Sequence, residues 1–224
     1  MTPPSLETAQ FTWGSAMRAM KRRSLAILVL VVTACTPLAF SLAPASAFAP
    51  GANVYWFDYN IDATTHMKTL NQDITIKGGT FTGGIDFGDG QLVGDIKLPA
   101  STFTFGVGPV GLLTVTAKII ATKHVNGIVD FGSLTVVATS TFNVQLVSAY
   151  ATGTTFPNLV GNKCITATPA SVTMSGSASI GGTSTFSGEF TMPPFKDCGK
   201  KTPILNLLLA GPGNTFTATA SPAP

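Results

Sequence analysis

Arginine is missing from most of this sequence, and most of the lysines in that part are spread along the chain. Residues 48–224 contain nine lysines, eight aspartates, one glutamate and no arginine, so their formal net charge is zero. The lysines are dispersed among the acidic residues, as Lys68, Lys77 and Lys97 illustrate. Nucleic-acid binding requires clustered basic side chains that neutralise phosphates. We therefore expect no nucleic-acid partner.

The sequence also lacks the residue patterns of common hydrolases. No Gly-x-Ser-x-Gly motif occurs, and the nearest string, residues 176–181, has the wrong spacing and a composition typical of turns. Glu189 is the only glutamate after residue 47, so a glycosidase pair would need aspartates that no motif brings together. His66 and His124 show no metal-ligand spacing. We predict a non-enzymatic protein with no catalytic residue, cofactor or metal site.

Apolar runs are too short for a permanent transmembrane helix. Residues 25–32 form an unbroken apolar segment of eight residues, whereas a membrane-spanning helix needs about 20. The basic residues 21–23 precede this segment, which is the arrangement of a secretory signal peptide. Translation could start at Met17 or Met20, because the residues before them are not needed for a signal. Residues 1–47 are therefore predicted to be a leader.

Two cleavage sites fit this leader, and they predict different locations. Ala45, Ser46 and Ala47 place small residues where the general signal peptidase reads them, so cleavage after Ala47 would release a secreted protein. Residues 32–35 resemble a bacterial lipobox, in which Cys35 would be lipidated and would anchor the protein to a membrane. Residues 38–42 stay largely apolar, which is not typical after a lipidated cysteine. We favour secretion into the extracellular cell envelope over lipid anchoring, with membrane contact only through the leader or such an anchor.

The two remaining cysteines indicate a disulfide. Either cleavage leaves Cys164 and Cys198 as an even pair in the exported part, and a bond between them is expected in an oxidising compartment. Two free buried thiols, or a two-cysteine metal site, are the alternatives. Closing this loop of about 35 residues would stabilise the fold by roughly 3.5 to 4 kcal/mol in the chain-entropy model.

Alternation of apolar and polar residues predicts an all-β protein. From Leu134 to Leu146 every second residue is apolar except Ser140, and the intervening residues are polar except Val137. This period of two is typical of an antiparallel strand with one buried face. Similar patterns recur every 8 to 12 residues and are separated by glycines. The fold class that we predict is an antiparallel β-sandwich or partly open barrel.

The domain limits follow from the same pattern. Residues 48–220 have the length of one domain, and residues 221–224 are predicted to be a disordered tail. Thr202 to Gly211 breaks the alternation and predicts one short C-terminal helix, with Thr202 as the N-cap, although a buried strand is the competing interpretation. The sequence leaves open whether residues 53–70 join the main sheet or form an arm. The aromatics at 55–59 favour the buried face of an edge strand over an adhesive patch.

A short motif occurs twice. Residues 84–88 read Gly-Ile-Asp-Phe-Gly, and residues 127–132 read Gly-Ile-Val-Asp-Phe-Gly. Asp caps its own backbone and Gly accepts positive φ, so both copies predict tight turns. A kinase-like magnesium site is excluded by the missing accompanying motifs. A calcium loop around Asp86, Asp89 and Asp95 would need more oxygen ligands at fixed spacing.

The C-terminal third resembles a known family. The residues that carry the likeness are Gly161-Asn162-Lys163-Cys164, then Gly188 to Gly199 with Cys198, then Thr202-Pro203-Ile204-Leu205-Asn206 and Gly211-Pro212-Gly213-Asn214. This pattern is similar to an uncharacterised family of exported, two-cysteine β-rich proteins of actinobacteria. The resemblance implies an exported, disulfide-linked β domain in an actinobacterial envelope, and it carries no assigned activity or site.

These observations lead to one functional hypothesis and three alternatives. We expect a non-enzymatic extracytoplasmic cell-envelope protein that acts as a binding or structural β-sandwich, with an envelope component or an apolar ligand as partner. It could be a carrier of a lipid or other apolar molecule between its sheets, a membrane-embedded barrel, or a hydrolase. The phenylalanines that would line a carrier cavity, or fill an ordinary core, are Phe81, Phe87, Phe103, Phe105, Phe131, Phe142, Phe186, Phe190 and Phe195. The ligand and the oligomeric state stay open.

Overall fold

The computed structural model describes Phe48 and residues 52–107, 111–179 and 181–224. The predicted leader, with the start sites Met17 and Met20, the cleavage site at Ala47 and the lipidation candidate Cys35, lies outside the described residues. None of the helices in the described ranges combines the length and the apolarity needed to cross a bilayer.

Strands dominate the described residues, as the sequence predicts. They are β1 (Val54–Met67), β2 (Gln72–Asp86), β3 (Gln91–Lys97), β4 (Ser101–Gly106), β5 (Leu112–Ala121), β6 (Val125–Asp130), β7 (Thr135–Ala151), β8 (Ile165–Thr166), β9 (Ala170–Ser177), β10 (Ser184–Met192), β11 (Phe195–Lys196) and β12 (Gly211–Pro222). A 3-10 turn (Gly199–Lys201) leads into the helix α1 (Thr202–Leu209).

Eight strands form a closed antiparallel barrel. Their order around the ring is β1, β2, β3, β6, β7, β9, β10 and β12, and β12 returns to pair with β1. The all-β prediction is confirmed. Of the two predicted architectures the sandwich is wrong and the barrel is found, although its ring is closed and not partly open. Residues 135–139 of β7 pair with β6 on one side and β9 on the other, so the two sheets expected of a sandwich are joined there. Closure of this kind gives every strand of the ring two neighbouring strands along at least part of its length.

Strand β7 connects the barrel to an additional layer. Its second half pairs with β5, which pairs with β4, while β8 and β11 form a short ladder on its other side. The predicted apolar face of β7 is buried, including Ser140, which is 4% exposed. Leu134 is an exception, because it lies in the preceding turn with φ 53° and is 51% exposed.

The first and the last described strands both belong to the barrel. Strand β1 lies between β2 and β12, so residues 53–70 join the main sheet and do not form an arm. Residues 54–58 pair with β2 alone, because the pairing with β12 begins at Tyr59. Strand β12 reaches Pro222, two residues past the predicted domain limit, and the Ala223 N–H donates to the Asp58 carbonyl at 3.0 Å. The predicted tail is therefore ordered through this point.

Helix α1 closes one end of the structure. The helix prediction is confirmed, and the competing strand interpretation is wrong. Leu205 and Leu209, four residues apart, are buried in the main core cluster with Met192 and Phe195. Thr202 is the first residue of the helix and not its N-cap, which is Lys201, and the Thr202 hydroxyl donates instead to the Gly199 carbonyl at 2.8 Å.

Candidate functional site

The end of the barrel away from α1 is open, and we call it the mouth. It is formed by the start of β1, the last residues of β12, the β2–β3 turn (87–90), the β6–β7 turn (131–134) and the turn between β9 and β10. A smaller core cluster lies at this end and includes Leu92, Val125 and Val129.

The repeated Asp-Phe-Gly motif builds two neighbouring turns of the mouth. Asp86 Oδ1 accepts the Gly88 N–H at 2.8 Å, and Asp130 Oδ1 accepts the Gly132 N–H at the same distance. The turn prediction is therefore confirmed for both copies. The sequence did not show that the two turns lie side by side, which follows from the pairing of β3 with β6.

The phenylalanines of the two turns are stacked. The ring centroids of Phe87 and Phe131 are 5.3 Å apart, with an interplanar angle of 27°. Tyr55 of β1 contacts Phe87 with a centroid distance of 6.2 Å. A continuous aromatic rim thus crosses three segments of the mouth, and Tyr55 and Phe87 are 51% and 42% exposed.

The carboxylate beside Phe131 is held in its charged form. The Ser133 hydroxyl donates to Asp130 at 2.7 Å, and the backbone N–H groups of Gly132 and Ser133 donate as well. These bonds, the hydroxyl first, lower the pKa of Asp130 below its ordinary value of 3.8. Asp89, in the neighbouring turn, accepts the Gln91 N–H at 2.9 Å. The mouth therefore presents fixed negative charge next to exposed aromatic rings.

Below the rim lies an apolar cavity of about 120 Å³. Every barrel strand contributes to its wall. The lining residues are Tyr55, Phe57, Tyr59, Ile61, Phe81, Ile85, Phe87, Leu92, Ile96, Val125, Val129, Val136, Ala138, Met174, Ala178, Ser179, Ser184, Phe186, Ala218 and Ala220. Among the described residues, no Asp, Glu, His, Lys or Cys lines this space.

Two polar side chains of the lining, Tyr59 and Ser184, are hydrogen-bonded within the protein. The Tyr59 hydroxyl donates to the Ser179 carbonyl at 3.1 Å and accepts the Gly181 N–H at 3.3 Å. The Ser184 hydroxyl oxygen accepts the Ser179 N–H at 2.9 Å. The bonds of Tyr59 connect β1 to the turn between β9 and β10. The rest of the cavity wall is largely apolar.

Small residues on the inner face leave room for the cavity. An eight-stranded barrel is just wide enough for its side chains to fill, so glycine and alanine inside it create space. Ala138, Ala218 and Ala220 line the cavity. Gly176 and Gly188 alternate with other inward residues of β9 and β10, and a Cβ on either would contact a neighbouring backbone carbonyl. Glycines of this kind bend strands sharply enough for a ring to close.

A second cavity of about 80 Å³ lies deeper, toward α1. Ile96 and Met174 line both cavities and therefore stand between them. Leu209 of α1 is part of the lower wall. Tyr55 and Phe87 of the aromatic rim line the first cavity and not this one.

The predicted phenylalanine set divides between these places. Phe81, Phe87 and Phe186 line the mouth cavity, and Phe103, Phe142, Phe190 and Phe195 line the deeper one. Phe105 is buried in the main core, and Phe131 lies at the rim. Sequence reasoning missed Tyr55, Phe57 and Tyr59 as cavity residues, although their alternate spacing on β1 was the available signal.

The other residues singled out from the sequence lie away from the mouth cavity. Cys164 and Cys198 form the predicted disulfide, which is fully buried near the 3-10 turn and α1. His66 pairs with Asp73 at 2.7 Å and His124 with Asp95 at 2.6 Å, both on the exposed surface. Across the described ranges, no three His, Cys, Asp or Glu residues are grouped as metal ligands.

Comparisons with known proteins do not assign a role to this site. A scan against protein-family models and searches of curated proteins and of solved structures found no match to this chain. The class of site is thus defined by its geometry alone: an apolar cavity at the open end of a closed β-barrel.

Proposed function

We propose that this protein is a binding protein that takes an apolar molecule, or the apolar part of a larger one, into the mouth of its barrel. The observation that carries the proposal is the cavity of about 120 Å³, which is lined almost wholly by carbon and borders an exposed aromatic rim. Apolar cavities of about 150 Å³ bind molecules the size of benzene. The cavity therefore takes one ring or a short alkyl segment, and the rest of a larger ligand lies against the aromatic rim.

Binding suits the lining better than catalysis does. The ionisable groups among the described lining residues are the tyrosines Tyr55 and Tyr59, and the Tyr59 hydroxyl bonds to the protein itself. A general acid or base must lie within hydrogen-bond reach of the reacting group. The lining offers no carboxylate or imidazole for that task, which supports a non-enzymatic role.

The export signal and the disulfide support an extracytoplasmic setting. The leader predicts secretion, or lipid anchoring through Cys35, and the Cys164–Cys198 bond is stable in an oxidising compartment. We therefore propose the cell envelope as its location, and the family resemblance in the sequence would make that envelope an actinobacterial one. A carrier there would shield an apolar compound from water.

The outer wall supports a barrel that faces water over one embedded in lipid. Asp58, Asp62, Asp95, Lys97 and Glu189 are exposed on strands of the ring. Charged side chains on a lipid-facing wall destabilise a barrel by about 2–4 kcal/mol each near the bilayer centre. The presence of such residues on the described strands favours the water-facing form.

The proposal predicts that filling the mouth abolishes binding. Ala178 is half-buried and lines the cavity, whereas its neighbour Ser177 is exposed and points outward. We expect the barrel to enhance the fluorescence of the neutral probe N-phenyl-1-naphthylamine, and Ala178→Trp to weaken binding at least about tenfold by occupying the entry.

The matched control is Ser177→Trp, which adds the same side chain to the outer face and should bind the probe as the wild type does. Circular dichroism verifies that both variants stay folded. No probe binding by the wild type, or equal binding by both variants, would exclude the cavity as the binding site.

A further inference from the structure

Charge is distributed unevenly along the barrel, and the asymmetry bears on which ligand the mouth accepts. Asp86, Asp89 and Asp130 lie in or beside the two Asp-Phe-Gly turns at the rim. Phe87, which lines the cavity, lies between Asp86 and Asp89 in the chain, and Phe131 stacks on it directly after Asp130. These aspartates are therefore close neighbours in the chain of the two stacked rings at the entrance.

No basic residue lies close enough to balance them among the described residues of the mouth. The lysines on barrel strands are Lys77 of β2 and Lys97 of β3. Lys97 is six residues from the mouth end of its strand, a distance of about 20 Å. The Debye length at physiological ionic strength is about 8 Å, so Lys97 is screened from the entrance.

Among the described residues, the cavity itself offers no cationic partner to an anion. Its polar groups are the hydroxyls of Tyr55, Tyr59, Ser179 and Ser184 and the backbone around them, and the bonds of Tyr59 and Ser184 run within the protein. A carboxylate or phosphate placed at the entrance would lose water without gaining a cationic partner. It would also be repelled by the carboxylates of the turns.

We infer that the ligand is an apolar molecule whose polar end is uncharged or cationic, and that the mouth discriminates against fatty acids and other anionic amphiphiles. This inference rests on the proposed binding function and adds the class of ligand. The hydrophobic part enters among Phe57, Phe81 and Phe186, and the polar end stays at the rim beside Asp89 and Asp130.

The test is a competition experiment with three ligands of equal chain length. Decanol, decylamine and decanoate are each used at neutral pH to displace N-phenyl-1-naphthylamine from the folded exported domain. We expect decanol and decylamine to displace the probe at concentrations at least about tenfold lower than decanoate does. Displacement by decanoate at the same or a lower concentration would overturn the inference and leave the proposed binding function intact, whereas failure of the probe to bind would remove both.

A charge variant tests the cause of the discrimination. The double variant Asp89→Asn with Asp130→Asn keeps side-chain oxygens that can accept the turn N–H bonds, and should reduce the preference several-fold. Asp197→Asn, which makes the same exchange beside the disulfide, should leave it unchanged. An unaltered preference in the double variant would show that the rim carboxylates are not its source and would overturn the inference in this form.

Discussion

At the scale of single residues, glycine and alanine decide how the inside of this barrel is filled. Phe81 lies over Gly83 and Gly94, since a Cβ on either glycine would lie within 3 Å of its ring. Phe186 is placed in the same way beside Gly176. Large and small residues thus alternate between neighbouring strands, which fits bulky rings into a narrow interior. The space at Ala138 and Ala218 that no ring fills is the mouth cavity.

Replacing an inner glycine should therefore destabilise the barrel. A Cβ at Gly176 would contact the Thr185 carbonyl oxygen and lie 2.8 Å from Phe186 Cδ1. We expect Gly176→Ala to lower the free energy of unfolding by about 1–3 kcal/mol, because one strand must shift to make room. Urea denaturation followed by circular dichroism measures this change.

Gly106, at the end of β4, provides the comparison, because no atom lies within 4 Å of a Cβ built on it. Gly106→Ala should change the stability by no more than about 1 kcal/mol, in the stabilising direction. Equal losses in the two variants would contradict the assignment of Gly176 to a close backbone contact.

At the scale of elements, tight turns lie at one end of the barrel and a short helix lies at the other. The Asp-Phe-Gly turns build the mouth, where each Asp holds its own turn and each Phe contacts the other. The other end is covered by α1, whose Leu205 and Leu209 face the core while Ile204 and Leu207 stay exposed. The two ends of the barrel are therefore built from different kinds of segment.

The buried and exposed leucines of α1 should differ in their effect on stability. Leu205 is 3% exposed and Leu207 is 77% exposed. We expect Leu205→Ala to cost about 2–5 kcal/mol, because it removes buried side-chain volume from the main core. Leu207→Ala should lie within about 0.5 kcal/mol of the wild type. Thermal and urea unfolding of the two variants test the role of α1, and similar losses in both would contradict it.

At the scale of the whole molecule, the disulfide closes a loop that contains two strands of the ring. Cys164 precedes β8 and Cys198 follows β11, so the bond closes a loop with a sequence separation of 34 that contains β9 and β10. These two strands complete the ring between β7 and β12. The bond therefore restricts the conformations of the unfolded chain in the segment whose strands close the barrel.

Reduction of the disulfide should lower the stability of the whole domain. The chain-entropy model gives about 4 kcal/mol for a loop of this length. Equilibrium urea unfolding with and without dithiothreitol measures the difference, and the double variant Cys164→Ala with Cys198→Ala should not respond to the reductant. An unfolding midpoint that reductant leaves unchanged in the wild type would show that the bond does not contribute.

Much of the strand content could be predicted because it depends on neighbours in the chain. The alternation from Val136 to Leu146 marks a buried face, and Thr202 to Gly211 breaks it where α1 forms. Leu134 shows where this reasoning fails, because it fits the alternation and yet lies in a turn. That turn is held by the hydrogen bonds that Asp130 accepts from the Gly132 and Ser133 N–H groups. Periodicity alone does not locate the end of a strand.

The sequence by itself determined the all-β class, the two tight turns, the short helix and the cysteine pair, because each depends on local alternation, on the conformational preferences of Asp, Gly and Pro, or on a count. Only the tertiary structure decided that β7 pairs on both sides, that Phe87 stacks on Phe131 and that Tyr55, Phe57 and Tyr59 line one cavity. These features depend on which distant strands become neighbours. The physical reason is that many pairings bury the same apolar faces, and the closure of the ring selects one of them.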